Sequence, residues 1–228
     1  MSKREVDVAP SQLPSGRHGL SRDYVQQSQR ARLLGGAIRV AGTHGYSGMT
    51  VTAVILYAGV SRKTFYDFFA DRESCFLAAL DVVLERGLRG VRHAYDSAEA
   101  WPERLRAAFA WMLHALAACP QEARIAFVEV LAAGPEALTR RDAARVELAS
   151  LIAPGFAAAP RRPALPPLLP EAIVGGLSEV VAARIRSDRL EQLPELLPEL
   201  MYCALAPFMG PTEAAQLAGL RRGTAARG

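Results

Sequence analysis

Between Thr50 and Phe69 the chain reads TVTAVILYAGVSRKTFYDFF, and this stretch constrains the fold more than any other. Thr50 and Ser61 each precede a run suited to a short helix, and each carries the side-chain oxygen that caps a helix N-terminus. The spacing predicts helices over Val51–Tyr57 and from Arg62 to about Phe69, joined at Ala58-Gly59-Val60. Gly59 supplies the positive φ that such a turn favours and that residues with a β-carbon resist. Val54, Ala58, Val60, Phe65 and Phe68 fall where the two helices would meet, which leaves Arg62, Lys63, Thr64, Tyr66 and Asp67 on the outer side. A short cationic helix braced across another helix is a device for entering the DNA major groove.

Roles follow from the chemistry of those side chains. Arg62 suits a bidentate contact to guanine, worth about 1–3 kcal/mol of discrimination. Lys63 suits a base or a phosphate, and Thr64 a thymine methyl. Tyr66, Thr50, Ser61 and the N–H groups at the helix starts suit phosphate oxygens, as does Arg72 on the next helix. Asp67 either accepts from cytosine or orients Arg62 or Lys63.

Charge agrees with a polyanion-binding N-terminal part. Residues 1–70 hold nine Lys or Arg against four Asp or Glu, while residues 71–228 hold eighteen against nineteen. Cys75, Cys119 and Cys203 are scattered, with no CxxC or Cys/His ligand spacing, so the expectation is buried thiols in a reducing compartment and no metal. Val40–Ser61 carries no formal charge over 22 positions, but it includes His44 and four glycines and does not read as a membrane span. The first 27 residues are polar and lack the apolar core of a signal peptide, so a soluble, cytoplasmic protein is expected.

The remaining chain keeps helical spacing throughout, with no alternation of the strand type. Residues 1–27 read as a flexible arm whose Arg17, His18 and Arg22 could reach a minor groove. Ser28–Thr43 reads as a helix with Leu33, Leu34, Ala37, Ile38 and Ala41 on its inner face, and with Arg30, Arg32 and Arg39 on its surface. Gly35 and Gly36 weaken that helix. Asp71 reads as the cap of a helix from Arg72 to about Tyr95. Further helices are expected over 101–118, 121–133, 136–152, 171–186 and 195–209, with a proline-rich connector after residue 153. Pro198 either kinks the last helix or marks its start. The organisation is thus an arm (1–27), a helix-turn-helix domain (28–70), a helical body (71–210) and a C-terminal tail (211–228).

The run AGVSRKTFYDFFADRESCF, from Ala58 to Phe76, resembles the DNA-binding signature of the TetR family of bacterial regulators, and the match extends back to Arg30. The resemblance implies an all-α protein with an N-terminal three-helix DNA-binding domain. It also implies a larger C-terminal helical domain that binds a small effector and dimerises. Two positions depart from the signature: Ile55 where Ala is usual, and Thr52-Ala53 where a charged pair is common.

On that basis the helices at 171–186 and 195–209 are the candidates for a homodimer interface through Ile173, Gly176, Leu177, Val180, Val181, Met201 and Leu205. The resemblance places the effector among the central helices, where Phe109, Trp111, Met112, His114, Phe127 and Glu129 are the candidate lining. An apolar pocket with one or two polar anchors takes a hydrophobic small molecule. The expected function is a repressor that binds a palindromic operator as a homodimer and is released by that effector, with no cofactor. A regulator without a small-molecule ligand is the alternative. An enzyme built on His114, Cys119 and Glu129 is remote, because no nucleophile motif such as GxSxG is present.

Overall fold

Capping residues and prolines set the helix starts in this chain. The computed structural model describes residues 22–158 and 165–220, and every regular element among them is helical. The order is α1 (Arg22–Gly48), α2 (Val51–Ala58), α3 (Arg62–Phe68), α4 (Arg72–Tyr95), α5 (Trp101–Ala118), α6 (Pro120–Phe127), α7 (Pro135–Ile152), α8 (Gly155–Ala158), α9 (Leu169–Arg186), α10 (Leu197–Met209) and α11 (Pro211–Ala218). Short 3-10 turns at Glu129–Leu131 and Leu190–Leu196 precede α7 and α10. Proline occupies the first turn of α5, α6, α7, α9, α10 and α11, where its missing N–H costs nothing. Pro198 therefore marks the start of α10 and does not kink it.

The chain divides into two compact units, Met1–Ala79 and Leu80–Gly228. In the first, α1 is longer than its spacing suggested: it begins at Arg22, so residues 22–27 of the expected arm are helical. Arg17 and His18 lie outside the described residues. A kink at Gly45 (φ 78°, ψ 163°) redirects the end of α1 and seats Tyr46 edge-on against Phe76, 4.8 Å between ring centres. The core of this unit gathers Leu33, Ala37, Met49, Val54, Phe65 and Phe76, all fully buried. Val60 and Phe68 are only half-buried, and Phe69 fills the place expected of Phe68.

Arg32 corrects the expectation that it lies on the surface. It is 9% exposed, and its Nη1 donates to the Gly59 carbonyl at 3.4 Å. The adjacent glycines also differ in kind. A β-carbon on Gly36 would stand 2.9 Å from the Val54 carbonyl oxygen of α2, whereas one on Gly35 would meet nothing within 4 Å. Gly36→Ala is therefore expected to force α1 and α2 apart at a cost of about 1–3 kcal/mol. Gly35→Ala is expected to stabilise by up to about 1 kcal/mol through helix propensity. Thermal unfolding of the two variants should shift in opposite directions.

The second unit packs two apolar clusters. One joins Val91, Leu105, Ile152, Val174, Met201 and Phe208; the other joins Leu113, Ala123, Val181, Ile185, Leu193 and Leu200. Trp101 and Phe156 both stand edge-on to Phe208, at 5.4 and 5.5 Å. The Leu151 carbonyl, in the last turn of α7 with no intrahelical donor to satisfy it, accepts from the Tyr95 hydroxyl (3.2 Å) and the Trp101 indole N–H (3.1 Å). The expected C-terminal tail is in part a packed helix. In α11 Ala214 and Ala218 are buried, and Arg106 of α5 donates to the Leu217 carbonyl.

Candidate nucleic-acid interface and body cavity

The turn between α2 and α3 is built by its own backbone. Gly59 adopts φ 61°, ψ 41°, which ends α2, and the N–H groups of Gly59 and Val60 both donate to the Ile55 carbonyl. Thr50 caps α2 by accepting from the Ala53 N–H at 3.1 Å, and Ser61 caps α3 by accepting from the Thr64 N–H at 3.0 Å. Buried Arg32 secures the turn from behind through the Gly59 carbonyl. Ile55 is half-buried in α2, and the larger side chain is accommodated there.

Arg62, Lys63, Tyr66 and Asp67 project from α3 and are exposed. Tyr66 is anchored by an edge contact with buried Phe65, 5.3 Å between centres, and keeps half its surface in solvent. The three residues expected to meet bases are partnered. Arg62 Nη2 donates to Thr52 Oγ1 of α2 at 2.9 Å, Lys63 Nζ pairs with Asp67 at 3.2 Å, and Thr64 Oγ1 shares a hydrogen bond with Ser61 Oγ at 2.9 Å. Between the two roles left open for Asp67, the structure places its carboxylate on Lys63.

Arg72, expected at a phosphate, lies half-buried and braces the end of α1. Its guanidinium donates to the Met49 carbonyl at 3.1 Å and sits 4.9 Å from the Tyr46 ring centre. Asp71 caps α4, its Oδ1 accepting from the Ser74 N–H at 2.8 Å. The Ser74 backbone and hydroxyl together hold the Asp71 carboxyl below the usual carboxylate range. Burial pushes the Cys75 thiol up to about 12, so it stays protonated. Cys119 and Cys203 are exposed, contrary to the expectation of buried thiols. Among the described residues no cluster of His, Cys, Asp and Glu is placed to hold a metal ion.

Within the second unit, α4, α5, α6 and α7 border a partly open cavity of about 320 Å³. Its walls are apolar, with Val83, Trp111 and Phe127 among them, and its charged lining is the Arg86–Glu122 ion pair. A smaller cavity of about 40 Å³ lies beside it, and Met112 and Phe127 line both. Of the expected lining, Trp111, Met112 and Phe127 face the larger space, and Phe109 faces the smaller one. His114 does not: it is exposed, with Nδ1 2.8 Å from the Ala110 carbonyl. Glu129 is buried, lines neither cavity and pairs with Arg124 at 3.4 Å.

Two glycines of α4 shape the space beside α5. Gly90 lets the Trp111 indole lie against the helix, since a β-carbon there would overlap the ring, and Gly87 borders the larger cavity with nothing within 4 Å of its absent side chain.

The expected dimer residues divide as sharply. Val181, Met201 and Leu205 are buried in the chain's own core and offer no exposed surface to a partner. Gly176 and Val180 are exposed on α9, and Ile173 and Leu177 are half-buried, with Leu177 lining the smaller cavity.

With this geometry the comparisons with known proteins agree. Residues 33–79 match the family described as bacterial regulatory proteins, tetR family. The HTH-type transcriptional regulator EthR of Mycolicibacterium smegmatis is 30% identical over 109 residues, 47% of this chain and 50% of EthR. The chain thus aligns with about half the length of that relative. The fatty acid degradation regulator FadR from Bacillus halodurans superposes with a TM-score of 0.68 at 21% identity, over 80% of this chain and 95% of FadR. FadR from Bacillus subtilis, solved in complex with stearoyl-CoA, superposes with a TM-score of 0.67 at 17% identity, over 79% and 98%. At these identities the superpositions establish the fold: an all-helical chain with an N-terminal helix-turn-helix domain and a C-terminal helical domain.

Proposed function

We propose, for a chain that belongs to the TetR family of bacterial regulatory proteins, that it is a transcription regulator that binds a palindromic operator as a homodimer. The observation that carries the proposal is α3 itself. It is capped by Ser61, set by the Gly59 turn, and presents Arg62, Lys63 and Tyr66 to solvent around a buried Phe65. Arg62, Lys63 and Thr64 meet base edges, while Thr50, Ser61 and Tyr66 meet phosphates. Arg72 acts at the backbone chiefly by fixing the α1 end beside Thr50.

One such helix binds a half-site weakly, so a twofold dimer is needed to read two half-sites. The exposed face of α9 around Gly176 and Val180, the latter 42% exposed, is the part of the expected interface that remains available for it. The protein works in the cytoplasm, where the operator is; no helix among the described residues is long and apolar enough to cross a membrane.

The regulator is a repressor released by a small hydrophobic effector. A cavity of about 320 Å³ lies within the size range of ligand sites, and its apolar walls select an apolar molecule. The Bacillus subtilis FadR complex with stearoyl-CoA supports a ligand-binding reading. Helix α4 carries Arg72 near its start and Val83, Gly87 and Val91 along the cavity, so a ligand that displaces α4 acts on the helix that braces α1. Gly87→Leu is expected to fill the cavity with little effect on folding. It should abolish the rise in melting temperature given by any apolar compound that stabilises the wild type, while leaving DNA affinity unchanged.

Selection of duplexes from a randomised pool by the full chain tests the DNA-binding reading. The expected product is an inverted repeat with half-site centres about one helical turn apart, roughly 10 base pairs. Recovery of unrelated sequences would count against it.

A further inference from the structure

We infer that Thr52 is a positioning residue for sequence reading: its hydroxyl holds the Arg62 guanidinium in the orientation from which it meets a base edge. The inference rests on the DNA-binding function proposed above and assigns a role in it to α2, which α3 alone does not supply.

Thr52 sits in the first turn of α2 and Arg62 is the first residue of α3, both exposed. The 2.9 Å bond from Arg62 Nη2 to Thr52 Oγ1 therefore spans the turn and links the starts of the two helices. Helix α2 does not need this hydroxyl as a cap, since Thr50 already performs that task. The Oγ1 acceptor is one χ1 rotation from the α2 backbone, so few positions are open to it.

A guanidinium carries five N–H donors in a rigid fork; spending one on Thr52 leaves others free for a bidentate contact. Its rotamers are narrowed before DNA arrives, which lowers the ordering cost of binding. The neighbouring cation is treated differently. Lys63 faces the carboxylate of Asp67, which offsets its charge, whereas a neutral hydroxyl orients Arg62 and leaves its charge intact. The pair Thr52-Ala53, which departs from the charged pair common in the family signature, is on this account what aims Arg62 through a neutral partner.

The test uses the full-length chain and a duplex recovered by wild type from a randomised pool. The base pair read by Arg62 is identified as the one whose preference Arg62→Ala removes. Thr52→Val keeps the branched side-chain shape but deletes the hydroxyl. It should lower preference at that base pair about fivefold. Affinity for a scrambled duplex, its salt dependence and the melting temperature should stay at wild-type values. Thr52→Ser should retain most of the preference, and Thr52→Val should add nothing in the Arg62→Ala background.

Wild-type preference in Thr52→Val, an equal loss on both duplexes, or additivity with Arg62→Ala would each overturn the inference while leaving DNA binding in place. A wild-type chain that selects no sequence would overturn the inference and the proposed function together.

Discussion

Replacing Phe65 by alanine is expected to cost about 3–5 kcal/mol of stability and to abolish DNA binding. Phe65 is fully buried, and its ring lies 5.3 Å from Tyr66 and 5.7 Å from Phe69, centre to centre. It is the side chain through which α3 is attached to the rest of the N-terminal unit. A domain is stable by only about 5–15 kcal/mol, so a loss of this size leaves α3 without a fixed orientation. Loss of the ring also frees Tyr66 from the edge contact that anchors it. Phe65→Leu keeps most of the volume and should retain both folding and binding. Circular dichroism melts together with duplex titrations check this. A Phe65→Ala variant that melts with wild type would show that α3 is held by something else.

Arg62→Ala and Tyr66→Phe are expected to separate base reading from backbone holding. Both residues are exposed on α3, so neither change opens the core. Arg62→Ala should cost about 1–3 kcal/mol of discrimination at one base pair, with a smaller effect on a scrambled duplex. Tyr66→Phe removes the hydroxyl proposed to meet a phosphate and should weaken binding to all duplexes alike. The two profiles are distinguishable in a single titration series against matched and scrambled DNA. Identical profiles would contradict the division of labour on α3.

The helix-turn-helix was legible because its determinants are local. Thr50, Ser61 and Gly59 each act on a backbone group within a few residues, so α2 and α3 begin at Val51 and Arg62 where the spacing placed them. Arg32 was not legible from residue type, since an arginine is rarely buried unless paired. Its register did carry the signal. Arg32, Gly36 and Val40 recur at four-residue spacing and all are buried, with Gly36 set against α2 and Arg32 on the Gly59 carbonyl.

In the body, periodicity identified apolar faces but not what covers them. Val181, Met201 and Leu205 share the character of interface residues, yet the chain buries them itself. The same limit applies to the cavity, which depends on how completely α4 and α5 fill the space between them. Gly87 and Gly90 of α4 decide that, one by leaving room and the other by admitting Trp111. His114 stands one position beyond Leu113, which is fully buried, and that single step turns it outward.

Helix α3 is proposed to read DNA sequence. The most direct measurement is the ratio of affinities of the full chain for the duplex it selects and for a scrambled duplex of equal length, at one fixed salt concentration. The expected ratio is about a thousandfold or more, and lower in Arg62→Ala. A ratio near one, with binding that only weakens as salt rises, would contradict it.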